Sequence, residues 1–115
     1  MFKTINIGGQ DVEFLGTAAT NIYYKRIFGE DPIELQERSD KLSASKRIDL
    51  YSRLAYIMHE QAMHTGDRAG LMKINEDTFI DWLDTFGFGD LQDALSGIAE
   101  VYMGQQVPTS NAKKK

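Results

Sequence analysis

Residues 17–35, TAATNIYYKRIFGEDPIEL, constrain the fold more than any other part of the chain. They read as a helix that stops at Gly29 and a second helix that starts at Asp31-Pro32. Glycine lacks a Cβ and so accepts the left-handed conformation that closes many helices. Asp before Pro is a start signal: the carboxylate caps free amides, and proline's fixed φ suits the first helical position. Thr17 is the expected N-cap of the first helix, whose inner face should carry Ala19, Ile22, Tyr23 and Ile27. Tyr24 and Phe28, four apart, point to a different face. A helix apolar on two faces has something besides its own core to cover.

The rest of the chain extends this helical pattern. Before it, residues 2–7 alternate, Gly8-Gly9 follows, and Val12 and Phe14 continue the apolar side. This predicts a β-hairpin over about residues 2–15, because primed two-residue turns need positive φ. Such a hairpin is marginal alone and must lie on the helices or pair with another chain. After it, Ile33, Leu35 and Leu42 carry a weak second helix. Residues 45–63 predict a third, with Ile48, Tyr51, Leu54, Ala55, Met58 and Ala62 on one face, widened by Leu50 and Ile57. Residues 64–70 read as a flexible loop. Asn75 or Glu76 opens a fourth helix carrying Phe79, Trp82, Leu83 and Phe86, with acids at its N-terminal end. Gly87-Phe88-Gly89 breaks it, Asp90 caps a fifth, and Gly104 ends that one. The expected architecture is mainly α: a compact bundle of about five helices with a short N-terminal hairpin. One domain covers residues 1–104, and the polar residues 105–115 read as a disordered tail.

Composition bounds the function. At 115 residues and 42% hydrophobic, the chain can build one real core. It has no cysteine, so disulfides and thiolate zinc sites are excluded. No run approaches the ~20 apolar residues of a membrane span, and residues 1–6 lack the apolar core of a signal peptide. A protein free of membranes and of export is expected. Three of the 13 basic residues are Lys113, Lys114 and Lys115; without them the body holds 10 basic against 17 acidic residues. Such a body repels a phosphate backbone, and no nucleic-acid partner is expected.

Motifs for chemistry are missing. His59 and His64 invite a metal reading, but they lie five apart, about 140° around a helix, where the zinc-protease pattern needs four. Gly8-Gly9 and Gly87-x-Gly89 lack the continuation of a phosphate loop or a dinucleotide fingerprint. Asp81, Asp84, Asp90 and Asp93 form an acidic cluster, but helix capping and solvation account for it more simply than acid–base work or calcium binding. No Ser or Thr sits in a nucleophile elbow. Neither an enzyme nor a bound cofactor or metal is expected. Most aromatics should be core; Tyr24, Phe28 and Phe88, the last between two glycines, are the candidates for a partner surface.

The order of these parts resembles the tail assembly chaperones of long-tailed bacteriophages and related prophages. A hairpin with an Ile7-Gly8-Gly9 turn leads through Thr17-Ala18-Ala19 into Tyr24-Lys25-Arg26-Ile27-Phe28-Gly29-Glu30-Asp31-Pro32. A helix with Leu54-Ala55-Tyr56-Ile57-Met58 follows, then Phe79-x-x-Trp82-Leu83, then a terminal helix and a lysine-containing tail. The likeness spans nearly the whole chain, and its specificity lies in the order of the motifs.

The resemblance implies a non-enzymatic protein of the host bacterial cytoplasm that binds the hydrophobic tape-measure protein, keeps it soluble and helps tail-tube subunits assemble around it. It implies absence from the finished virion and self-association into a homo-oligomer. It also implies a longer form made by translational frameshifting, which the lysine run at residues 113–115 fits, since consecutive lysine codons can be runs of A. Two other readings stay open on the residues alone. One is a different phage tail or connector protein. The other is a small DNA-binding or regulatory module, which the acidic body disfavours.

Overall fold

The alternation at the N-terminus closes as a two-stranded antiparallel sheet. In the computed structural model, which describes residues 1–106 (apart from the side chains of Ser39, Gln105 and Gln106), β1 spans Phe2–Ile7 and β2 spans Gln10–Leu15. Ile7 pairs with Gln10, and Gly8 and Gly9, at φ 59° and 92°, make the two-residue turn. The period of two puts Ile5, Ile7, Val12 and Phe14 on the side facing the helices. β2 packs on α3 (Ala44–Met63) and β1 on α6 (Phe88–Gln106). The hairpin therefore folds back on its own chain, and the helices supply the cover that an isolated pair of strands lacks.

The joint between the first two helices has the expected chemistry. α1 spans Thr20–Phe28 and ends at Gly29, which is left-handed at φ 70° and donates its N–H to the Lys25 carbonyl. α2 spans Pro32–Glu37, with Asp31 accepting from the Ile33 amide at 3.0 Å. A 3-10 turn at Ser39–Lys41 leads to Ser43, whose hydroxyl caps α3 at the Lys46 amide. The start of α1 differs from expectation. Ala19 is its N-cap and makes no side-chain cap bond. The Thr17 hydroxyl accepts from the Ala19 amide at 3.1 Å and from Gln61 Nε2 at 2.8 Å, while Thr20 Oγ1 donates to Gln61 Oε1 at 2.6 Å. Thr17 and Thr20 thus tie α1 to α3; the bond between the buried Thr20 and Gln61 is shielded from water, and those of Thr17 are partly so.

α3 is the central element, touched by β2, α1, α5 and α6. Its middle, Leu54 to Met58, is buried on every side, as are Ser52 and Gln61, so the single apolar face expected here is too narrow an account. A helix surrounded by neighbours needs apolar residues all round.

The loop expected at residues 64–70 contains a sixth helix: a single turn, α4, at Arg68–Leu71, capped by Asp67 accepting from the Gly70 amide at 3.1 Å. α5 follows at Glu76–Leu83, opened by a capping box between Asn75 and Thr78. α6 begins at Phe88, ahead of Asp90, so Asp90 sits in its first turn and is not its cap. It also runs past Gly104 to Gln106. The fold class stands as expected, with six α-helices among the described residues in place of about five. The expected tail lies outside the described residues from position 107 onward, including the lysines at 113–115. No helix of the described residues is long and apolar enough to cross a membrane.

Candidate partner-binding surface

The three proposed surface aromatics part company in the structure. Tyr24 is completely buried. Residues 20, 23, 24, 27 and 28 form the inner stripe of α1, at the spacing of one helix face, and Ile22 is left 56% exposed. Tyr24 is therefore a core residue and cannot present a surface to a partner. Its hydroxyl donates to Glu30 Oε1 at 3.1 Å, and Arg53 Nη1 reaches the same oxygen at 2.6 Å. Burial pushes the Tyr24 phenol well above its ordinary range, against the opposing pull of Arg53. Burial also depresses Arg53, but its bond to Tyr24 and the charge of Glu30 more than offset this, so its pKa is raised. A buried phenol, an acid and a guanidinium thereby close the end of α1, with the Tyr24 hydroxyl and Arg53 Nη1 both bonded to Glu30 Oε1.

Phe28 is half-buried. Its ring lies 5.1 Å from Tyr24 and 5.2 Å from Phe79 of α5, and the Arg53 guanidinium sits 5.2 Å over its centroid. It begins an unbroken succession of rings. Phe79 meets Tyr56 at 5.5 Å, Tyr56 meets Trp82 at 5.6 Å, and Trp82 stacks on His59 at 5.4 Å. His59 then reaches Phe14 of the hairpin at 6.1 Å. Four elements, α1, α3, α5 and β2, are joined through this chain of aromatics, each contact adding ~0.5–1.5 kcal/mol beyond area burial. Only a part of Phe28 remains for a partner.

Phe88 is exposed, as proposed, and at 66% it is the most exposed large apolar side chain described. It rims a cavity of about 240 Å³ between α3, α5 and α6, whose walls include Ile48, Phe79, Leu83 and Leu91. Four further large apolar side chains are more than half exposed on the helices and the turn after α4: Ile22, Met63, Met72 and Ile80. Sequence reasoning missed these. Ile22 was assigned inward, and Met63 and Met72 flank the segment read as a loop. The Ile80 position carried a signal: it lies off the Phe79–Trp82–Leu83 face at helical spacing.

A cleft of about 620 Å³ opens between α3, α4 and α5 and is lined by Tyr56, Glu60, His64, Asp67, Asp81 and Trp82, among others. His64 stands between Glu60 at 3.4 Å and Asp67 at 3.2 Å. The Gly70 amide, then His64, hold the Asp67 carboxyl below the usual carboxylate range. Burial raises the Tyr56 phenol, opposed by its bond to Thr78 at 2.6 Å. His59 faces elsewhere, with Nδ1 2.9 Å from the Glu13 carbonyl. The two histidines thus share no partner, and among the described residues no three His, Asp or Glu side chains are placed to hold a metal ion together. The acidic residues are spread out: Asp81 lines this cleft, Asp84 ends α5, and Asp90 and Asp93 border a separate cavity beside the hairpin turn. No family model, curated protein or solved structure matches the chain.

Proposed function

We propose that this protein is a tail assembly chaperone of a long-tailed bacteriophage or prophage, a non-enzymatic binder of the tape-measure protein in the host cytoplasm. The observation that carries this reading is the set of large apolar side chains left outside on a net-acidic helical body: Ile22, Met63, Met72, Ile80 and Phe88. The order of hairpin, helices and motifs along the chain supports it. A tape-measure helix has apolar faces that need cover until the tube encloses it. A chaperone must hold those faces and still leave when tail-tube subunits arrive, which calls for several moderate contacts in place of one irreversible site. Methionine suits such a surface because its unbranched side chain adapts to different neighbours. The acidic body keeps loaded complexes apart. Self-association and a frameshifted longer form belong to the same reading.

Co-expression with the tape-measure protein of the same genome tests it. The expected result is a soluble tape measure that co-purifies with this chain, and absence of this chain from purified particles. A tape measure that precipitates alone overturns the reading. Retention of this chain in purified particles favours a connector or other structural tail protein.

A further inference from the structure

One cavity runs against the charge of the molecule. It measures about 340 Å³ and lies between α2, the 3-10 turn and the first half of α3. Four cations line it: Arg38, Lys41, Lys46 and Arg53. Glu30 holds Arg53. Among the described residues, Arg38, Lys41 and Lys46 form no ion pair. The body around them is acidic, and a cluster of unpaired cations at one concave place focuses a positive potential where an anion can enter.

We propose that this cavity binds an acidic, amphipathic peptide segment of a protein partner. Three features of its wall choose a peptide over a simple polyanion. The cations present point charges and a guanidinium fork to carboxylates. The leucines Leu35, Leu42 and Leu50 form an apolar lining that a phosphate group leaves unused. Glu30 and Asp49 add acceptor oxygens, which repel a polyphosphate and accept from peptide N–H groups. A segment with Asp or Glu interleaved with Leu or Ile satisfies all three. The inference rests on the chaperone reading only in making the tape-measure protein the source of that segment.

The test uses the full chain and a fluorescein-labelled 12-residue peptide carrying Glu and Leu at helical spacing, followed by anisotropy. Two double variants change the charge equally: Lys41→Glu with Lys46→Glu in the cavity, and Lys25→Glu with Arg68→Glu away from it. Circular dichroism checks that each is folded. The expected result is saturable binding that weakens at least tenfold in the cavity variant and less than twofold in the distant one. No binding by the wild-type chain overturns the proposal. Equal weakening in both variants also overturns it, because the attraction is then diffuse. Displacement of the peptide by tripolyphosphate at a lower concentration than by unlabelled peptide makes the cavity a phosphate site and overturns it as well.

Co-expression of the cavity variant with the tape-measure protein separates the two readings. A wild-type chain that binds the peptide but leaves the tape measure insoluble breaks the chaperone reading alone. A cavity variant that loses the peptide but solubilises the tape measure fully removes the tape measure as the source of the segment.

Discussion

Two aromatic residues of helices, Tyr24 in the middle of α1 and Phe88 at the start of α6, met opposite fates. Both look like surplus apolar surface in the sequence. Tyr24 turned inward because its hydroxyl has somewhere to go: Glu30, itself held by Arg53 from α3. Phe88 carries no polar group, rims a cavity and stays two-thirds exposed. The contrast teaches that a polar handle can decide which way an aromatic faces. Burying a tyrosine is favourable when its hydroxyl finds a partner and costly when it does not.

The comparison breaks most visibly if Tyr24 is truncated. Tyr24→Ala should destabilise the fold by about 3–5 kcal/mol, the range for deleting a buried aromatic, read as a lowered midpoint in urea. Tyr24→Phe keeps the ring and should cost about 1–2 kcal/mol for the lost bond. Equal, small effects of both would mean the side chain is not in the core. A double truncation of Tyr24 and Phe28 would probe the fold and not a partner surface.

Alkaline titration comes next in size. Tyr102 is buried and donates to Asn21 Oδ1 at 2.7 Å, tying α6 to α1; burial pushes its phenol up to about 12, with the Asn21 bond opposing. Tyr24 shifts in the same direction. The unfolded chain releases these protons near pH 10, before the folded one does. Stability should therefore be full below about pH 10 and fall between pH 10 and 12, by about 1–3 kcal/mol for Tyr102. Denaturant melts at pH 8 and pH 11 check this, and Tyr102→Phe should flatten part of the decline. A flat profile in the wild-type chain would contradict the burial of both phenols.

The smallest effect on stability is expected at Phe88. Phe88→Ser should change folding free energy by no more than about 0.5 kcal/mol, as exposed substitutions do. It should nevertheless weaken capture of the tape-measure protein in pull-downs by severalfold. A large loss of stability would put Phe88 with Tyr24 and erase the contrast.

Much of the fold was legible locally because its signals are local. The left-handed Gly29, the Asp31-Pro32 start and the Gly8-Gly9 turn each act within four residues, and all three appear as expected. The inner face of α1 was misjudged because it was drawn through Ala19 and Ile22 and left out Thr20, which is buried. Its hydroxyl is satisfied by Gln61, 41 positions away, and no periodicity within α1 reports a partner at that distance. Once Thr20 counts as inward, Tyr23, Tyr24, Ile27 and Phe28 follow and Ile22 turns out. α4 was missed for another reason: one turn is too short for any period to show, and its only sign was Asp67 as a cap. The cationic cavity could not be read at all, since Arg38 and Lys41 meet Lys46 and Arg53 only when the segment from the end of α2 through the 3-10 turn lies beside α3.

The chain of rings has an optical consequence. Trp82 is the only tryptophan in the chain, and it stands within 5.6 Å of Tyr56, His59 and Phe86, one step from Phe14 and Phe79. The molecule therefore carries a single built-in fluorophore at the crossing of its hairpin, its central helix and α5. Its emission registers whether α5 has met the central helix at Tyr56 and His59, so a change in that light reports the docking of α5 on α3 beside the hairpin.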